Sequence, residues 1–168
     1  MIIGIDPGLT GALGFIRTGI ELIDKKGVNV KPYGVLDLKV SGKADSKKIS
    51  HVWLDSIVHK FSPVELIILE SPPKYMTNSR HWTYFCMGRT QGIIESVCER
   101  NNIKLIIIDS KEWKKHFDLM KKGKEGSLKL ARELFPELKE DLKRKKDHNR
   151  AEALLITKYG MKYHEKEA

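Results

Sequence analysis

Two cysteines in 168 residues, Cys86 and Cys98, are too few for a disulfide scaffold. If both lie on one helix, their twelve-residue separation spans about 18 Å at 1.5 Å per residue, beyond the reach of a bridge. Long apolar runs are lacking too: the opening hydrophobic stretch is cut at Asp6-Pro7-Gly8, far short of a secretory core or a membrane span. There is no internal repeat, no linker-like segment and no second glycine-rich hairpin. These absences predict a reduced, cytoplasmic protein, with residues 1–168 forming one domain and no membrane partner.

Acidic charge is also in short supply. Lys and Arg number 31 against 22 Asp and Glu, a formal net charge of +9, which favours a polyanion as partner over a small-molecule substrate. The excess is local: residues 111–146 hold thirteen basic residues against seven acids. Within that stretch the Lys- and Gly-rich segment with Lys121, Lys122 and Lys124, and the run Lys143-Arg144-Lys145-Lys146, are candidate phosphate contacts. Lysines on helix faces with compensating acids are often simply solvated; Lys121, Lys122, Lys124, Lys145 and Lys146 are selected because they cluster.

The apolar pattern predicts an α/β fold. Residues 1–6 and 12–16 read as a hairpin around the turn Pro7-Gly8-Leu9-Thr10-Gly11, and a third strand falls within 31–38, after the turn-like 24–27. A helix capped by Asp45 or Ser46 runs to about Lys60, with Ile49, Val52, Trp53, Ile57 and Val58 on its buried side. The strand 64–70, a helix within 79–100, the strand 104–108 and a short helix 111–117 capped by Ser110 follow. Such alternation implies parallel additions to a sheet opened by three antiparallel strands, with helices on both faces. Residues 118–127 read as an exposed loop before a helix 128–134. A final helix, capped by Asp147, buries Ala151, Leu154, Leu155 and Tyr159 before a polar tail from Lys162.

Three acids stand out against this pattern. Asp6 and Glu70 each end a nearly continuous apolar strand, and Glu152 interrupts the apolar face of the last helix. Taken singly, Asp6 before Pro7-Gly8 is an ordinary turn residue. On adjacent strands, however, Asp6 and Glu70 repel one another unless a cation lies between them, and an all-oxygen site with one imidazole suits Mg²⁺ or Mn²⁺.

The segments Gly4-Ile5-Asp6-Pro7-Gly8, Leu69-Glu70 and Arg150-Ala151-Glu152-Ala153-Leu154, in this order, resemble RuvC-type Holliday junction resolvases, in particular their phage-like branch. Gly88-Arg89-Thr90-Gln91-Gly92 and the Lys/Gly segment extend the resemblance over nearly the whole chain. It implies a ribonuclease H-like fold, a homodimer and paired incisions in four-way DNA junctions with two Mg²⁺ ions per site, Mn²⁺ being able to substitute. It also implies that Asp6 bridges the two ions while Glu70 and Glu152 each serve one. The usual fourth ligand stands three residues before the last acid, and here that residue is Asn149. His148, four before, shares the face of Glu152; Asp147, five before, points elsewhere unless the helix starts later. His148 is the favoured ligand, with Asp147 and Asn149 as alternatives. In the resembled family the loop after Glu70 probes the opened centre of the junction, which makes Tyr75 the candidate DNA-facing wedge. Trp82, Phe85 and Met87 fit the core or a dimer contact.

Other functions share parts of this pattern. The first hairpin also resembles that of actin-like kinases, but those need two duplicated lobes around the nucleotide. A ribonuclease H-like nuclease cutting structured RNA, and a non-catalytic junction-binding protein, remain as alternatives.

Overall fold

A computed structural model of the protein describes residues 1–18, 31–43, 47–72 and 81–165. Three antiparallel strands open the fold: β1 (Ile2–Asp6), β2 (Ala12–Ile16) and β3 (Tyr33–Asp37). A two-residue ladder of β4 (Val40–Ser41) and β5 (Lys48–Ile49) follows, and then helix α1 (His51–Phe61). Strand β6 (Leu66–Glu70) pairs parallel with β1, and β7 (Lys104–Ile108) parallel with β6, with α2 (His81–Arg100) as the crossover. The sheet order is β3-β2-β1-β6-β7, so β1 is central. The expected mixed sheet is therefore present.

Period-two alternation divides the core between the two faces of the sheet. Ile3, Ile5, Ile67 and Leu69 pack with Leu54, Ile57 and Ile94 from α1 and α2. Ile2, Leu66 and Ile68 point the other way, onto Trp113 of α3 (Ser110–His116), Leu128 of α4 (Gly123–Leu134) and Leu154 of α5 (His148–Glu165). Asp6 and Glu70 continue the second set and so belong to the α5 face.

Several local expectations are corrected. The first helix starts at His51, where Ser50 accepts from the Trp53 amide; Asp45 and Ser46 lie outside the described residues. Ile49 is buried from β5 rather than from the helix, Val52 is 65% exposed, and Leu54 fills the core instead. Asp109, not Ser110, caps α3, in a reciprocal box with Glu112. The expected loop 118–127 is helical from Gly123, because Ser127, Leu128 and Ala131 form a buried stripe. Asp147 reaches back to the Arg144 amide and guanidinium at 2.7 and 2.8 Å instead of forward into α5. Lys162 and its neighbours to Glu165 continue α5 rather than forming a loose tail, and the expected buried residues Ala151, Leu154, Leu155 and Tyr159 are buried. Cys86 and Cys98 both lie on α2 and are free.

Candidate active site

Register brings the first two acids together. β1 and β6 align Gly4 with Ile68 and Ile5 with Leu69, so the next residues, Asp6 and Glu70, leave adjacent strand ends on one face. The third acid is delivered by the depth at which α5 sits. Gly4 and Gly14 are cross-strand partners, and a Cβ on Gly14 would stand 2.8 Å from the Ala153 carbonyl, while one on Gly4 would overlap Thr157. Two missing side chains thus let the α5 backbone lie on the strands, with Glu152 beside Asp6.

The electrostatics record that convergence. Burial pushes Asp6 up to about 6, and the neighbouring Glu152 carboxylate adds to the rise. Glu70 rises to about 7, again chiefly through burial; the Trp113 hydrogen bond and Lys114 oppose the rise, while Asp6 and Glu152 reinforce it. Trp113 Nε1 donates to Glu70 Oε2 at 2.9 Å, and Ser127 Oγ donates to Glu152 Oε1 at 3.3 Å. Lys114 Nζ lies 3.9 Å from Glu152 Oε1 and lowers the pKa of both Asp6 and Glu70, so one ammonium faces all three acids. Among the described residues, no three His, Cys, Asp or Glu side chains stand close enough to hold a metal ion as they are.

Next to the acids, a cavity of about 550 Å³ is lined by Thr10, Lys124, Lys146, His148, Asn149 and Arg150, among others. Asp37 grips Arg150 with both oxygens at 2.6 Å, and Asp147 is held by Arg144, so both acids at this cavity are already neutralised. Lys124 lowers the pKa of Asp6 across the gap.

Neither a family model nor a curated protein sequence matches the chain. Solved structures do. Thermus thermophilus RuvC superposes with a TM-score of 0.58 at 17% identity, over 97% of this chain and 96% of that one. T. thermophilus RuvC in complex with Holliday junction substrate gives 0.63 at 15% identity, over 96% and 94%. The fold is RuvC-like. Within this RuvC-like fold, Asp6, Glu70 and Glu152 are near enough that the Glu152 charge raises the pKa of both Asp6 and Glu70.

The three candidates for a fourth position differ in their bonding. Asp147 is buried and engaged by Arg144. Asn149 Nδ2 donates to the Thr10 carbonyl at 2.7 Å, tying α5 to the β1–β2 turn. His148 Nδ1 lies 3.1 Å from the Lys145 carbonyl. A carbonyl only accepts, so Nδ1 is the donor in this contact, and Nε2 is the ring atom left to face a ligand. Of the basic candidates, Lys122 pairs with Asp118 and Lys145 with Glu125, whereas Lys121 and Lys146 make no ion pair among the described residues. Tyr75 lies outside the described residues.

Trp113, Lys114 and Ser127 escaped the sequence reading. A signal existed: a helix opening directly after the strand next to β6 carries its first-turn side chains toward Glu70, and a buried Trp N–H needs an acceptor. Trp82 and Phe85, expected in the core or at a dimer contact, are 48% and 53% exposed, which excludes the core. Among the described residues, no helix is long and apolar enough to cross a membrane.

Proposed function

We propose that this chain is a structure-selective endonuclease that resolves four-way (Holliday) DNA junctions by paired, divalent-metal-dependent phosphodiester hydrolysis, in the manner of the phage-like RuvC-type resolvases. The observation that carries this reading is the convergence of Asp6, Glu70 and Glu152 on one sheet face, beside a lysine-lined cavity, in a RuvC-like fold.

The donors fit Mg²⁺ or Mn²⁺: three carboxylates, two of them held partly protonated by burial and mutual repulsion, form a hard-oxygen set whose charge a divalent cation relieves. Asp6 would hold both ions, Glu70 and Glu152 one each, with His148 as the fourth ligand through Nε2. Cations bound there supply the activation of water and the neutralisation of the leaving oxygen that phosphodiester hydrolysis needs. The chain's own side chains do the rest. Lys124 and Lys146 draw the backbone phosphates toward the acids, and Lys121, Lys122 and Lys145 extend that track once the last two exchange their exposed acidic partners for phosphate. Lys114 keeps a positive charge at the acids while phosphate enters. Tyr75 serves as the wedge at the junction centre.

The one nuclease domain acts as a homodimer in the cytoplasm, because two symmetric cuts need two sites. α2 fits as the interface: the missing side chains of Gly88 and Gly92 face open space beside exposed Phe85. A second reading, a non-catalytic junction-binding protein, is favoured by Lys114 lying against Glu152. Incubating the protein with four-way junctions, forks and duplex, with and without Mg²⁺, separates the two: Mg²⁺-dependent symmetric nicking of the junction supports the nuclease, and binding without nicking supports the second reading. Cleavage restricted to structured RNA replaces both.

A further inference from the structure

The Trp113 side chain is fully buried, and its single polar atom is committed to Glu70, with Nε1 donating to Oε2 at 2.9 Å. The arrangement is fixed from several sides. Ile108 of β7 stands opposite Glu70 in the register, and the reciprocal cap of Asp109 and Glu112 sets the first turn of α3 just beyond it. By contrast, the other partnered acid, Glu152, accepts on Oε1 from a rotatable hydroxyl and faces a flexible ammonium, both free to swing away.

A carboxylate can hold a cation through one oxygen or chelate it through both. Ca²⁺ collects six to eight oxygens and readily accepts chelating carboxylates, whereas Mg²⁺ demands near-octahedral geometry and keeps several waters. One lone pair of Glu70 Oε2 is taken by the N–H of an indole buried in the core, which makes Oε1 the freer donor. We propose that Trp113 is a positioning residue that favours one-oxygen over two-oxygen coordination by Glu70 and so biases the site toward Mg²⁺ and Mn²⁺ over Ca²⁺. The proposal rests on the metal-site reading given above and adds to it a determinant of cation choice.

The test is calorimetric titration of Mn²⁺ and of Ca²⁺ into the wild type, Trp113→Phe, Glu70→Gln and the double variant. Phenylalanine keeps most of the buried ring and removes the donor, so Trp113→Phe should shift the ratio of Ca²⁺ to Mn²⁺ affinity toward Ca²⁺ by about tenfold, the scale of a lost outer partner of a ligand. In the Glu70→Gln background the same substitution should leave the ratio unchanged. An unaltered ratio in Trp113→Phe, with wild-type protein binding Mn²⁺, overturns the role of Trp113 and spares the metal site. Wild-type protein that binds neither cation overturns both. Should Trp113→Phe fail to fold, the wild-type indole N–H decides by nuclear magnetic resonance: with saturating Mg²⁺ it should remain slow to exchange with D₂O, and rapid exchange overturns the proposal.

Discussion

Glu70→Gln should stabilise the metal-free protein, and increasingly so as the pH rises. Burial lifts the Glu70 carboxyl from its ordinary 4.5 to about 7. An unfolded chain therefore releases this proton near pH 4.5 and the folded chain only near 7, so between those values the unfolded state binds fewer protons and stability falls as pH rises. The full cost above both values is about 3 kcal/mol, of which about 2.5 kcal/mol develops between pH 5 and pH 8. Glutamine removes the charge and keeps an oxygen to accept from Trp113 Nε1, so the hydrogen bond to that buried indole survives. Urea unfolding in EDTA at pH 5 and pH 8 measures the effect. The two proteins should differ by less than about 1 kcal/mol at pH 5, and the variant should lead by about 2–3 kcal/mol at pH 8. Asp37 and Asp147, whose pKa values are lowered by arginine contacts that oppose burial, stay ionised across this window and cancel in the comparison. A stability difference that does not change with pH, or that favours the wild type more at pH 8, refutes the reasoning. Mg²⁺ at pH 8 should then raise the stability of the wild type and leave the variant behind.

Asp6→Asn and Glu152→Gln should each abolish Mg²⁺-dependent nicking of a four-way junction while retaining junction binding in a gel-shift assay, since neither carboxylate is placed on the lysine-lined surface. Replacing Lys124 and Lys146 together with Gln should flatten the dependence of log K on log salt by about 2, if each neutralises one phosphate; an unchanged slope makes them solvated lysines. Gly14→Ala should cost at least about 2 kcal/mol by urea unfolding, because its Cβ would meet the Ala153 carbonyl at 2.8 Å and lever α5 off the sheet. Gly92→Glu should convert the dimer to a monomer in light scattering without loss of helix signal, and a native mass already equal to one chain rules out the dimer.

What the sequence disclosed about the site came mostly from alternation. Ile2-Gly4-Asp6 and Leu66-Ile68-Glu70 each step by two along an apolar strand, so both acids were bound to share a face once the strands paired in register. The helical spacing of Ala151, Leu154 and Leu155 did the same for Glu152. Less legible was anything decided by competition between neighbours. Asp109 and Ser110 both qualify as a cap, and Glu112, three residues after Asp109, completes a reciprocal box with it alone. The glycines and lysines of 121–126 read as loop, yet burial of Ser127, Leu128 and Ala131 extends the helix back to Gly123, tertiary packing overriding composition. The signal for Trp113 and Lys114 depends on the strand order, because it is β7 lying beside β6 that carries α3 to Glu70.

That packing also explains why the acids cannot relieve their repulsion by moving apart. Asp6 and Glu70 are fixed at the ends of paired central strands, and Glu152 rides on a helix pressed onto Gly4 and Gly14, whose partners Thr157 and Ala153 are fully buried. Asn149 ties the first turn of that helix to Thr10 at 2.7 Å, and Arg150 ties it to Asp37 at 2.6 Å. Geometric escape is closed, so the charge can be met only by a proton or by a cation. Burial and the neighbouring charges raise the pKa of Asp6 and Glu70, so that each holds its proton more tightly, and Lys114 is a cation already in place. A divalent ion bound at these acids, as proposed above, would replace the protons and the Lys114 contact to Glu152, so cation binding should tighten from pH 6 to pH 8 as Asp6 and Glu70 lose their protons. Mn²⁺ affinity measured by calorimetry that stays flat across this range would mean that these carboxyls are not the ligands.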